Sequence, residues 1–91
     1  MNKAVRLTVK GRVQGVGFRW FVYQEARKLD VKGVVRNLYN GDVEIEAEGE
    51  SAAIERLISA VRKGPIFARV AEVVVEPMHY TGRFDSFEIT H

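Results

Sequence analysis

The sequence predicts an α+β domain: an antiparallel sheet with two helices on one face and a short strand at the C-terminus. Three observations carry that expectation. Apolar and polar residues alternate in some stretches, the period of a half-buried strand, while in others apolar residues recur at helical spacing. Gly-rich segments punctuate the boundaries between them. The composition of the 91 residues, 46% hydrophobic and 29% charged with 8 Gly and 2 Pro, is that of a globular chain without a linker or low-complexity tract.

Val5, Leu7 and Val9 alternate with Arg6, Thr8 and Lys10, giving a first strand. Gly11 to Gly17 contains three glycines and is expected to turn sharply. Phe18, Val22, Ala26 and Leu29 then form a helical stripe that runs to about Asp30. Val31–Leu38 is short and β-branched. Tyr39-Asn40-Gly41-Asp42 after it reads as a hairpin turn, in which Asn-Gly favours positive φ at both central positions. The return strand has Val43, Ile45 and Ala47 on one face and Glu44, Glu46 and Glu48 on the other. Ser51 is placed to cap the next helix with its hydroxyl. Ile54, Leu57, Ile58 and Val61 are that helix's buried stripe, and Gly64-Pro65 ends it. Val70–Glu76 is a further strand with Ala71, Val73 and Val75 on one face, and Phe84, Phe87 and Ile89 suggest a short last one. The order β-α-β-β-α-β with a C-terminal addition is the split β-α-β pattern of ferredoxin-like sandwiches. Residues 1–91 are expected to form a single domain, because a chain of this length buries roughly two thirds of its unfolded surface around one core.

Lys plus Arg number 14 against 12 Asp plus Glu, a net charge of +2 with the signs interspersed. In the expected topology Arg6 and Lys10 face Glu44, Glu46 and Glu48 across the ladder, each opposed pair contributing roughly 0.2–1 kcal/mol. The open face is then a neutralised mosaic with no exposed aromatic, which excludes a nucleic-acid platform. Cysteine is absent, which excludes disulfides, thiolate metal sites and cysteine nucleophiles and is compatible with the cytoplasm. Met1 to Arg6 lacks the apolar core of a signal peptide, and the longest runs free of charge, Val13–Phe18 and Pro77–Gly82, are six residues each, far short of a membrane span. A cytoplasmic location without a membrane partner is therefore expected. His79 and His91, the only histidines, have no partner at metal-ligand spacing, so surface positions and no bound metal are expected. Phe18, Trp20, Phe21 and Tyr23 are expected in the core, with a substrate platform beside the loop as the lesser alternative; Tyr39 and Phe67 receive the same reading.

The segment Gly11-Arg12-Val13-Gln14-Gly15-Val16-Gly17-Phe18-Arg19 joins strand to helix. Glycines let successive backbone N–H groups turn inward, and the first helical turn adds unpaired N–H donors and a partial positive charge. Arg19 at the helix start can grip two phosphate oxygens with its fork. Gln14, Gly15, Val16, Gly17, Phe18 and Arg19 are thus a candidate phosphate-binding loop. A tight turn with a solvated arginine explains the glycines alone equally well. The segment is not a Walker A loop, since no Gly-Lys-Ser/Thr follows, nor a dinucleotide fingerprint, whose G-x-G-x-x-G spacing Gly11, Gly15 and Gly17 do not match.

That same segment is similar, almost letter for letter, to the first signature of the acylphosphatase family. Gly33-Val34-Val35-Arg36-Asn37, Gly41-Asp42-Val43 and Gly49 resemble the second, in the family's order and separation. The resemblance extends over essentially the whole chain. It implies hydrolysis of the carboxyl–phosphate anhydride of acyl phosphates to a carboxylate and inorganic phosphate. It implies a small-molecule substrate, no cofactor and no obligate protein partner. It also implies residue roles: Arg19 binds the phosphoryl group with the loop amides, and Asn37 orients the attacking water. With no thiol available, direct attack by water is the expected chemistry, and a carboxylate leaving group needs little help from an acid. A domain that binds anions without turnover is the competing reading; binding needs only the loop, whereas Asn37 matters only for reaction.

Overall fold

The computed structural model describes residues 1–91. A five-stranded sheet, β1 (Asn2–Arg12), β2 (Lys32–Asn37), β3 (Val43–Glu50), β4 (Arg69–Met78) and β5 (Phe87–Ile89), packs with two helices, α1 (Phe18–Lys28) and α2 (Ser51–Lys63). The strand order is β4-β1-β3-β2-β5. The β-α-β-β-α-β order is the one the periodicity predicts, and the first four strands pair antiparallel. β5 instead runs parallel to β2, with Val35 opposite Ile89, so the sheet is mixed. A parallel neighbour needs a crossover rather than a hairpin. Everything from the β2–β3 turn to residue 86 separates the two, and residues 79–86 carry the chain from the β4 edge of the sheet to the opposite edge, where β5 joins β2.

The alternation of β1 and β3 sends Leu7, Val9, Val43 and Ile45 to the helix side, where each is fully buried. α1 contributes Phe18 and Val22, and α2 contributes Ile54, Leu57 and Val61, to the same core. Each such side chain stabilises the fold by about 1.5–3 kcal/mol on leaving water. Gly33, which opens the second signature, lies where a Cβ would meet the Glu46 carbonyl oxygen at 1.8 Å. Only glycine lets β2 approach β3 there.

Local departures from the sequence pattern have physical reasons. α1 ends at Lys28 because Asp30 takes a left-handed φ of 56°, which directs the chain into β2. Ser51 is not a cap. β3 runs into α2 without a loop, Glu50 occupies the cap position with no side-chain bond, and the Ser51 N–H donates to the Met1 carbonyl at 2.8 Å. In the hairpin only Gly41 has positive φ (98°). The Gly41 N–H donates to the Leu38 carbonyl at 3.2 Å, and the Asn40 Oδ1 accepts from the Asp42 N–H at 3.0 Å, the signature of a longer loop closed by a left-handed glycine. β4 is an edge strand, so Val73 is buried while Ala71 and Val75 remain exposed.

The face away from the helices is a charge mosaic, differently wired from the expectation. Arg6 lies opposite Glu46 but ion-pairs with Glu44 at 3.9 Å and Glu76 at 3.6 Å. Lys10 lies beyond the end of the β3 ladder and pairs with Asp42 at 2.8 Å, a bond that holds its ammonium above the ordinary lysine pKa. Arg36 on β2 binds both Glu44 and Glu46, and Arg83 reaches Glu46 at 2.7 Å. Glu48 is not a solvated partner of the other two glutamates. It is 5% exposed, because the crossover lies over it and supplies the Thr81 N–H at 2.8 Å, the Thr81 hydroxyl at 2.9 Å and the Gly82 N–H at 3.1 Å.

Candidate active site

β1 and β2 are both antiparallel to β3, so they run in the same direction. The loop after β1 therefore opens at the end of the sheet where β2 finishes with Asn37. β5, parallel to β2, delivers Ile89 and Thr90 to that end as well. Topology thus gathers three segments that are remote in sequence.

Val13 fixes the loop, being 1% exposed in the core. Gly15 and Gly17 take φ of 73° and 77°, and a Cβ at either would meet no atom within 4 Å. Conformation, not space, demands glycine here; a left-handed L-residue costs about 1–2 kcal/mol. The N–H groups of Gly15, Val16 and Gly17 donate to no backbone carbonyl. Gly17 is also the cap of α1, whose first turn carries free N–H groups by helix geometry and has no acidic residue to occupy them. The loop is an open, electropositive concavity.

Arg19 extends from that first turn, its Nη1 donating to the Thr90 carbonyl at 3.3 Å. It has no carboxylate partner, unlike the other arginine nearby. At Arg36, burial opposes the charge, but the bonds to Glu46 and Glu44 outweigh it and raise the guanidinium above its ordinary pKa. Arg36 is thus committed to the sheet, and Arg19 is the cation left for a ligand. The Asn37 side chain lies across the cleft, its Oδ1 buried without a hydrogen-bond partner.

Arg19, Asn37, Gly15, Gly17, Trp20 and Ile89 surround a cleft of about 210 Å³. A wider hollow of about 610 Å³ adjoins it, sharing Arg19 and Asn37 and reaching Tyr39 and His91. The two residues singled out by the sequence therefore meet on one small surface. Gln14 behaves differently from a simple phosphate ligand. Its Nε2 donates to the carbonyls of Leu38 at 2.7 Å and Asp42 at 2.8 Å, so the side chain ties the loop to the β2–β3 turn. Val16 packs partly into the core, and Phe18 is a core residue, so both reach the cleft with backbone rather than side-chain polarity.

Several contributors were missed by sequence reasoning. Trp20, expected in the core with a platform beside the loop as the lesser alternative, is 56% exposed at the cleft, and Tyr39 and Phe67 are also exposed. Ile89 is part of the short last strand expected from the sequence, but its place at the cleft, and that of Thr90, depends on the parallel pairing of β5. His79 is exposed, and no group of three His, Asp or Glu side chains is arranged to hold a metal ion. No helix is long and apolar enough to cross a membrane.

Fold and site define a ferredoxin-like α+β domain whose first strand-to-helix loop is open and cationic. The sequence profile of the acylphosphatase family matches residues 5–89. The acylphosphatase of Geotalea uraniireducens is 47% identical over 91 residues, covering all of both chains. That of Anaeromyxobacter dehalogenans is 50% identical over 84 residues, 92% of this chain and 90% of the relative. The crystal structure of acylphosphatase from Bacillus subtilis superposes with a TM-score of 0.94 at 40% identity, over the full length of both chains. The chain belongs to the acylphosphatase family.

Proposed function

We propose that Arg19 and the amides of the Val13–Phe18 loop hold the phosphoryl group of an acyl phosphate while Asn37 positions the water that attacks it. Acylphosphatase activity itself is supported by identities of 43–50% over nearly the whole chain and by the match to the Bacillus subtilis enzyme. The observation that carries the residue roles is the unpartnered, buried Oδ1 of Asn37, an acceptor in need of a donor, beside an arginine without a carboxylate.

The mechanism follows from those groups. Three phosphoryl oxygens settle among the loop amides and the Arg19 fork, which neutralise charge as it spreads in a loose transition state. Asn37 accepts from the water and fixes its direction of approach. The water oxygen forms a bond to phosphorus, the anhydride P–O bond breaks, and the carboxylate leaves with its electron pair. The water's proton passes to a phosphate oxygen, so no strong base is required. Charge neutralisation falls to a guanidinium and backbone dipoles, and the cleft lining contains no carboxylate to ligate a divalent ion. We read residues 1–91 as one metal-independent catalytic domain acting in the cytoplasm on small acyl phosphates.

The test is release of inorganic phosphate from acetyl phosphate by the purified chain, with and without excess EDTA. Equal rates well above spontaneous hydrolysis are expected. No release, or a rate lost to EDTA and restored by Mg²⁺, contradicts the reading.

A further inference from the structure

We propose that Trp20 and Ile89 form an apolar platform for the acyl group, so that the chain favours acyl phosphates with a bulky, especially aromatic, acyl part over acetyl phosphate. The proposal rests on the reading of the cleft as the acyl phosphate site.

Trp20 follows Arg19 directly, and both line the cleft with Asn37 and Ile89. The core has no need of Trp20: Phe18 and Val22, on the other side of α1, are 1% and 0% exposed. Trp20 is instead 56% exposed and Ile89 38% exposed. An indole left in water at a polar cleft is an apolar surface awaiting a partner. Its orientation is also fixed in advance. The Trp20 ring stacks on Tyr23, with centroids 5.2 Å apart and planes 18° from parallel. The Arg27 guanidinium lies 5.5 Å from the Tyr23 ring centroid and its Nη1 donates to the Tyr23 hydroxyl at 2.9 Å. This ladder along one side of α1, at neighbouring-turn spacing, restrains the indole before any ligand arrives.

The acyl carbon is one oxygen away from the phosphorus. A phosphoryl group gripped by Arg19 therefore keeps its acyl substituent within the same cleft, where Trp20 and Ile89 are the exposed apolar walls. The methyl of acetyl phosphate is too small to cover them. A phenyl ring can stack on the indole and displace the water there.

The experiment compares kcat/KM for benzoyl phosphate and acetyl phosphate in the wild type, Trp20→Ala and Trp20→Phe. Comparing the benzoyl-to-acetyl ratio between proteins cancels the unequal intrinsic reactivity of the two substrates. The benzoyl-to-acetyl ratio is expected to fall roughly tenfold in Trp20→Ala, chiefly through KM, and to recover in Trp20→Phe. A ratio unchanged within about twofold overturns the proposal. A second measurement needs no variant, because Trp20 is the only tryptophan in the chain. Phenylphosphonate is expected to perturb its fluorescence at saturation, and methylphosphonate to leave it unaltered. Equal responses to the two, or none to either, overturn the proposal. Failure of the underlying reading looks different: the wild type releases phosphate from neither substrate.

Discussion

Arg19 and Thr90, 71 positions apart, meet through a hydrogen bond from the arginine Nη1 to the threonine carbonyl at 3.3 Å. Thr90 is itself held by its N–H donating to the Val35 carbonyl at 2.9 Å. The last residues of the chain thus connect β2 to the cation of the site. A guanidinium anchored at one corner loses less rotamer freedom when a ligand arrives.

Removal of Thr90 and His91 is therefore expected to weaken ground-state binding more than chemistry. KM for acetyl phosphate should rise about 3–10-fold, the loss of one modest hydrogen bond, with kcat changed less. Steady-state kinetics on the truncated chain decide this, and an unchanged KM contradicts the anchoring role.

Gln14 supports the site from the other side. Gln14→Ala removes one of two donors from each of the Leu38 and Asp42 carbonyls, which keep the N–H groups of Gly41 and Leu38, and frees the loop from the β2–β3 turn. We expect a loss of about 1–3 kcal/mol in stability by chemical denaturation. We also expect a fall in kcat of roughly tenfold, because the cradle no longer keeps its distance from Asn37. Wild-type stability together with wild-type kcat would remove Gln14 from this account.

The pattern of what the sequence made legible has a physical basis. Elements built on period alone, such as the alternating β3 and the stripe of α2, were readable because the core enforces their periodicity. So were the loop glycines, whose backbone conformation no other residue adopts cheaply. Arg19 and Asn37 were located through motif resemblance, and the fold places them together. Glu48 was misread as solvated because strand alternation says nothing about a crossover that later covers that face. Trp20 was assigned to the core as an aromatic residue, although it lies two positions from both Phe18 and Val22 and so on the opposite side of α1 from their stripe. The strand at Ile89 was legible, but its arrival with Thr90 beside Arg19 was not, since β5 is only three residues long and its partner is chosen by tertiary topology.

The charge mosaic gives a pH dependence. Burial opposes the charge on Glu46, but bonds from Arg36 and Arg83 outweigh it and hold its carboxyl below the ordinary value of 4.5. A carboxylate depressed in the folded state contributes stability that is present above the unfolded pKa and is lost as pH falls through the folded one. Melting temperature should therefore drop as pH is lowered from about 6 to about 3, and Glu46→Gln should shrink that drop while costing about 1–2 kcal/mol near neutrality. Identical acid profiles for the two proteins contradict the assignment.

The central claim is that Asn37 acts on the reaction and not on the fold or on phosphate binding. The most direct test is kcat of Asn37→Ala on acetyl phosphate, read beside inhibition by inorganic phosphate and a melting curve. Loss of one preorganised polar contact at a reacting centre typically lowers the rate about 10²–10³-fold. The account predicts a folded variant with that loss in kcat and phosphate inhibition within about threefold of wild type. A folded Asn37→Ala chain that turns over acetyl phosphate at the wild-type kcat contradicts it.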